Sequence, residues 1–268
     1  MPCVLNANLP PDDATRLPAA TAGDLIALGF RVTGFLKGEA GEPLPGWYAP
    51  GGDNGPVLRA LREDLARTYP EAGAPLWAVR LWTNLLWQPV YLAVIGVHLA
   101  RVLPDLSAMS QRRAGIHTDG YRLAADPVSG LAQDEMIARA GAQLKALADG
   151  LLAEVNGLER LKRLPARRLL ADRMLGLMTF LQRKQPQLDP EAIRSWCARW
   201  LAAMDLTGEG DLESVRLRDG REALIIKRKG CCLDYLIPPG VYCASCPKQP
   251  DALRIAHQRA ETEALLAG

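Results

Sequence analysis

Four cysteines close to the end of the 268-residue chain constrain its fold more than any other feature. Cys231 and Cys232 are adjacent, and Cys243 and Cys246 follow after ten intervening residues. A pair two residues apart, such as Cys243 and Cys246, can bring both thiolates onto one metal centre from a tight turn. Turn-forming residues flank both halves, namely Pro238, Pro239, Gly240 and Pro247. The sequence therefore predicts a C-terminal loop wrapped on a metal centre.

The adjacent pair limits which centre this can be. Consecutive side chains in a strand point to opposite faces, so Cys231 and Cys232 are hard to place on one small ion. Either a turn begins at Gly230 or a multi-iron cluster spans both thiolates. The spacing favours an iron–sulfur cluster on Cys231, Cys232, Cys243 and Cys246. Structural zinc, two disulfides, and thiols that are merely buried stay open as alternatives.

Five other candidate ligands lie outside this pattern. Cys3 and Cys197 are distant in sequence, and His98, His117 and His257 share no metal-ligand spacing. We predict that all five are structural residues, with His257 the one histidine that the C-terminal position could bring near the cluster.

A run of three cations, Lys227-Arg228-Lys229, precedes the cysteines. Positive charge there would favour thiolates and raise the reduction potential of a negatively charged cluster. A solvated strand end is an equally good interpretation of the same residues.

The remainder of the chain predicts an α+β fold, predominantly α-helical with β-hairpins, that ends in a cysteine-rich cluster-binding segment. Hydrophobic residues, at 49%, suffice for a real core. Helical spacing with start and stop signals covers residues 57–68, 132–158, 166–183, 191–204 and 250–265. The composition changes near Thr207, so residues 1–206 are predicted to form a helical scaffold and substrate domain and 207–268 the cluster-binding part.

Turn residues mark the hairpins and loops. Residues 24–36 are apolar but interrupted by glycines, and 37–56 are rich in Gly and Pro and predict a loop. Thr118-Asp119-Gly120 predicts the turn of one hairpin, and Asp219-Gly220 that of another leading straight into Cys231.

Residues 81–100 lack Asp, Glu, Lys and Arg, over about the length that spans a bilayer. Polar residues interrupt the segment, so we predict a buried helix. No secretory signal is recognisable in residues 1–20, which predicts a cytoplasmic protein, either free or held at the inner face of the membrane. The net charge of +2 gives no indication of a nucleic-acid partner.

The C-terminal pattern resembles that of the FhuF-type ferric siderophore reductases. The resemblance rests on the Cys-Cys, ten-residue, Cys-x-x-Cys spacing, on a basic residue before it (Arg228 or Lys229), and on residues 235–239 between the halves. It implies a [2Fe-2S] cluster on the four cysteines. It also implies one-electron reduction of chelated Fe(III) to Fe(II) through that cluster, releasing siderophore iron in the cytoplasm, with no catalytic residue beyond the cluster.

Three function classes follow from the sequence. The first is a ferric siderophore reductase, an oxidoreductase whose substrate is a ferric siderophore. The second is a zinc-stapled binding or assembly module, and the third an iron–sulfur electron carrier or sensor. The chain has no Walker loop or dinucleotide fingerprint, so a reductase of this kind is expected to need an external electron donor, which the sequence does not identify.

Overall fold

The computed structural model describes residues 21–185 and 188–267. Cys3 and residues 1–20, where no secretory signal was recognised, lie outside this range. Within it there are seven α-helices and five strands, which confirms the predicted α+β class. The helices are α1 (Ala22–Thr33), α2 (Gly55–Thr68), α3 (Gly73–Ile95), α4 (Gln133–Asn156), α5 (Arg163–Lys184), α6 (Pro190–Ala203) and α7 (Asp251–Ala267). The strands are β1 (Gly38–Ala40), β2 (Met109–Ala114), β3 (His117–Leu123), β4 (Asp211–Arg216) and β5 (Glu222–Lys227).

The first helix was not predicted, because Gly29 and Gly34 resemble interruptions. Thr21 and Asp24 form a capping box that begins α1, and Gly34 ends it in a left-handed conformation at φ 75°. Gly29 lies inside the helix where Leu36 packs closely, since a Cβ there would be 3.1 Å from Leu36 Cδ2. Gly34 therefore ends the helix, and Gly29 allows Leu36 to pack closely against it.

The predicted helix at 57–68 is confirmed as α2, and the Gly- and Pro-rich segment before it is a loop apart from the short strand β1. Asn54 occupies the N-cap of α2, but its side chain makes no capping hydrogen bond. Asn54 Nδ2 instead donates to Ala49 O at 2.8 Å and to Glu154 Oε1 at 3.0 Å, which joins the loop to α4.

The uncharged segment at 81–100 is the centre of the core. It forms most of α3 and a turn of π-helix over Gly96–Ala100, and Leu81, Leu85 and Leu92 are at most 1% exposed. This confirms the predicted buried helix. No helix within residues 21–185 and 188–267 has both the length and the apolar character needed to cross a bilayer.

The first sheet has the strand order β1-β3-β2, with β1 parallel and β2 antiparallel to β3. The predicted hairpin is present, but the predicted turn is wrong. The chain reverses at Gly115, with φ 59°, and Thr118-Asp119-Gly120 lies inside β3. The pairing register shifts opposite these residues, between Gln111 and Arg113, so the Asp-Gly pair lies at an irregularity of the strand and not at its end.

Helices α4, α5 and α6 confirm the three helices predicted for the central region. α5 begins at Arg163, earlier than predicted, with Pro165 in its first turn, where a missing N–H costs nothing. The Asp189 side chain caps α6 by accepting from Glu191 N at 3.1 Å. α4 and α6 approach closely at Gly141, where a Cβ would be 2.4 Å from Ala203 Cβ.

The second sheet is the predicted hairpin of β4 and β5, with Gly220 at φ 86° in its turn. Leu224 of β5 belongs to the main core against α5, whereas Ile225 faces a smaller apolar cluster that includes α7. Gln258 of α7 holds both backbone groups of Ile226, accepting from its N at 3.1 Å and donating to its O at 3.0 Å. The division at residues 206 and 207 stays a prediction.

Candidate metal centre

The four clustered cysteines lie on the loop between β5 and α7. The loop contains a turn of 3-10 helix at Asp234–Leu236, entered through Leu233 at φ 61°. Cys246 N donates to Cys243 O at 2.9 Å, so these two cysteines share the tight turn expected from their spacing. Cys246 is buried and 2% exposed, whereas Cys231, Cys232 and Cys243 are partly exposed.

Cys232 and Cys243 are interacting neighbours across the loop, which brings the two halves of the motif together. This interaction lowers the pKa of Cys243 to about 7, against the opposing effect of burial and with a further contribution from Arg228. The same interaction, together with burial, raises the pKa of Cys232. A thiol with a pKa near neutrality is available as a thiolate ligand.

Arg228 supplies the positive charge beside these thiols. Its Nη1 donates to Cys243 Sγ at 3.7 Å, and its Nε lies 3.5 Å from Asp172 Oδ2. Burial lowers the pKa of Arg228, but the charges of Asp172, Cys232 and Cys243 more than offset it and leave the pKa raised. The guanidinium thus joins α5 to the cysteine loop.

Asp172 anchors the backbone that leads into the adjacent cysteines. Its carboxylate accepts from Gly230 N at 2.7 Å and from Lys229 N at 3.2 Å. The side chain is 1% exposed, so burial raises its pKa, while Arg228 and the two N–H groups act in the opposite direction. Sequence reasoning missed Asp172. The sequence signal that could have identified it is that Asp172 is a lone carboxylate in an apolar stretch of α5.

The predicted cationic run divides into three separate roles. Arg228 alone contacts a cysteine. Lys227 Nζ pairs with Glu213 at 3.1 Å, and Lys229 Nζ donates to Gly208 O at 2.8 Å. Arg228 is therefore the cation of this run that lies against a clustered cysteine, whereas the two lysines bind groups at the end of the strand.

The donor set can be tested against the group that the sequence implies. Iron–sulfur clusters take Cys thiolates, and the loop presents four thiols, of which Cys243 has a lowered pKa and also accepts a hydrogen bond from Arg228. These residues fit such a cluster. In the described part of the chain, no group of three or more His, Cys, Asp or Glu side chains is arranged to hold a single metal ion.

A cavity of about 370 Å³ opens beside Cys232 and Cys243. α3, α5, β5, α7 and the cysteine loop surround it. Its wall carries four arginines, which are Arg80, Arg173, Arg183 and Arg228. Sequence reasoning did not connect these residues, because they are far apart in the chain and are brought together by the packing of α3 and β5 on α5.

Cys197 and the three histidines are on other elements than the cysteine loop. Cys197 is buried on α6, and burial raises its pKa to about 12. His98 packs between Trp196 and Trp200, with ring centroids 4.9 and 6.1 Å away, and accepts from Trp200 Nε1 at 2.9 Å. His117 is on β3, and His257 is on the exposed face of α7.

Residues 228–248 match the family model of an iron–sulfur domain. That domain is the FhuF 2Fe-2S C-terminal domain. The match confirms the resemblance drawn from the cysteine spacing, supports an FhuF-type family assignment, and points to a [2Fe-2S] cluster as the cofactor. No solved structure matches the chain.

Proposed function

We propose that the protein is a ferric siderophore reductase, which transfers one electron to chelated Fe(III). The observation that carries this proposal is that the arginine-lined cavity is bounded by two of the four clustered thiols, Cys232 and Cys243. A chelate in this cavity lies directly against the metal centre. Pockets of this volume are typical of small-molecule sites.

Cys231, Cys232, Cys243 and Cys246 are the residues proposed to hold the cluster. When bound, a [2Fe-2S] cluster supplies one-electron redox chemistry at a potential set by hydrogen bonds, charge and exposure. The contribution of the chain itself is positioning. Asp172 fixes the backbone before Cys231, and Arg228 donates to Cys243 Sγ.

The reaction needs no acid, base or nucleophile from the protein. Chelated Fe(III) gains one electron and becomes Fe(II), and this step requires no new covalent bond. The lower charge weakens the bonds to the hard, anionic oxygen ligands of the siderophore, so the iron can pass to other acceptors. The electron comes from an external one-electron donor in the cytoplasm. We expect that purified protein alone does not oxidise NADPH.

The test starts from anaerobically purified protein, whose iron, sulfide, zinc and visible spectrum are measured before and after dithionite. Reduced protein, freed of dithionite, is then mixed with a ferric siderophore, and Fe(II) is trapped by a chromogenic chelator. About two irons and two sulfides, with one Fe(II) formed for each reduced cluster, support the proposal. A colourless, zinc-loaded protein would identify the zinc-stapled module instead. A cluster that reduces a cytochrome but no chelate would identify an electron carrier.

A further inference from the structure

The cavity beside Cys232 has an unusual concentration of arginine. Arg80 comes from α3, Arg173 and Arg183 from α5, and Arg228 from the residues before the cysteine loop. Arginine is the side chain best shaped for carboxylate oxygens, because its planar fork donates two parallel hydrogen bonds.

Three of these four arginines have hydrogen-bonding capacity that the described residues leave unused. The Nε atoms of Arg80, Arg183 and Arg228 are buried and have no hydrogen-bond partner there, although Arg228 Nε lies at ion-pair distance, 3.5 Å, from Asp172 Oδ2. Only one other arginine Nε of the described residues is in this state. Three of the four unpaired buried arginine Nε atoms in the described part of the chain therefore belong to side chains that line this one cavity. A buried donor without an acceptor costs free energy that a ligand oxygen can offset.

The carboxylates on the same wall do not satisfy all of this charge. Asp172 lies at ion-pair distance from Arg228, and Asp234 Oδ1 lies 2.7 Å from Arg80 Nη2. Arg183 Nε has no hydrogen-bond partner among the described residues although Glu261 lines the same cavity, and burial lowers the pKa of Arg183 in spite of that carboxylate. Arg183 is accordingly the cation with the most to gain from an anionic ligand.

We propose that this cavity selects ferric chelates that carry a peripheral carboxylate, with Arg183 as the residue that recognises it. This inference rests on the proposed ferric reductase function and names its substrate class. The volume of about 370 Å³ suits one arm of a chelate, so the carboxylate end enters towards Arg183 while the iron centre stays near Cys232 and Cys243. Chelates ending in a cationic group are disfavoured by the same arginines.

The test uses two probes that differ only at one end. Ferrioxamine B ends in an ammonium group, and its N-succinyl derivative ends in a carboxylate, while the three hydroxamates around the metal are the same. Loading both with Ga(III) removes the redox step, so calorimetry on the cluster-loaded protein measures binding alone. We expect the N-succinyl chelate to bind at least about tenfold more tightly.

Arg183→Gln should remove most of this preference, and Arg183→Lys, which keeps the charge but loses the fork, should retain part of it. Arg139→Gln is the matched control, because Arg139 is an exposed arginine of α4 paired with Glu135 away from the cavity. Unfolding midpoints of all variants show whether they are folded. Equal binding of the two chelates by the wild type, or equal loss of preference in the Arg183 and Arg139 variants, would overturn the inference.

The Fe(III) forms of the same probes separate this inference from the proposed function. If both are reduced at equal rates and their Ga(III) forms bind equally, the reductase function stands and the selectivity is wrong. If the N-succinyl chelate binds preferentially but neither Fe(III) form is reduced, the carboxylate site stands and the reductase function is wrong.

Discussion

Asp172 Oδ2 accepts a hydrogen bond of 2.7 Å from the backbone N–H of Gly230, which lies 58 positions further along the chain. This bond ties the centre of α5 to the residue directly before Cys231. The same carboxylate lies 3.5 Å from Arg228 Nε, so one buried side chain holds both the backbone and the cation that approach the cysteine loop. The geometry of the loop therefore depends on a helix of the main core.

The first prediction concerns Asp172→Asn. The amide has one acceptor oxygen and no charge, so it cannot serve Lys229 N, Gly230 N and Arg228 as the carboxylate does. Breaking a buried ion pair leaves an uncompensated charge, and we expect the free energy of unfolding to fall by about 3 kcal/mol. Urea unfolding of the purified protein measures this, and iron and sulfide analysis should show reduced cluster content.

Asp219→Asn is the control for that experiment. Asp219 pairs with Arg221 at an exposed hairpin turn, so its replacement should change neither stability nor iron content appreciably. If the two variants unfold at the same urea concentration, Asp172 does not anchor the loop.

The second prediction concerns the reduction potential. Arg228→Gln removes the positive charge whose Nη1 lies 3.7 Å from Cys243 Sγ. Reduction adds negative charge to the centre, so losing this cation should lower the midpoint potential. A redox titration followed by visible absorbance measures the shift. Lys229→Gln is the control, since Lys229 Nζ contacts Gly208 O, and it should shift the potential less.

The sequence predicted those parts of the fold and of the site that depend on local spacing. The Cys243 and Cys246 turn, the hairpin at Asp219-Gly220 and the helix behind Asp189 each follow from residues a few positions apart. Asp172 and Arg183 could not be assigned in this way, because their significance depends on how α5 packs against β5 and the cysteine loop. Local signals also failed at Asp119-Gly120, where a preceding glycine, Gly115, forms the turn instead.

The third prediction tests how closely the loop approaches α5. A Cβ on Gly230 would be 2.9 Å from Leu169 N and 3.0 Å from Asp172 Oδ2. The backbone of α5 cannot give way cheaply, so Gly230→Ala should destabilise the protein by about 1–3 kcal/mol. Gly150→Ala is the matched control, because Gly150 is helical with nothing within 4 Å of its Cβ position. It should raise stability by up to about 1 kcal/mol. Equal unfolding free energies for the two variants would contradict the close approach.

The fourth prediction concerns the ligand set. Cys231→Ser and Cys246→Ser should each lose most of the bound iron and sulfide, because serine cannot supply the thiolate that each cysteine is proposed to give the cluster. Cys197→Ser should retain both, since Cys197 is buried on α6 away from the loop. Iron, sulfide and visible absorbance are measured on the three variants after the same anaerobic purification. Equal iron content in all three would show that Cys231 and Cys246 are not ligands.

The fifth prediction is a pH dependence of stability caused by His98. Its pKa is lowered from 6.5 to about 3, first by burial and then by the charge of Arg101. Above pH 6.5 the ring is neutral in both the folded and the unfolded protein, so its titration does not reduce the free energy of unfolding. Between pH 6.5 and 3 the unfolded chain binds a proton that the folded protein does not, and the free energy of unfolding should fall by about 1.4 kcal/mol per pH unit. Urea unfolding between pH 6.5 and 5 measures this slope. His98→Gln, which can still accept from Trp200 Nε1, should show a shallower slope, and an unchanged slope would show that His98 is not its cause.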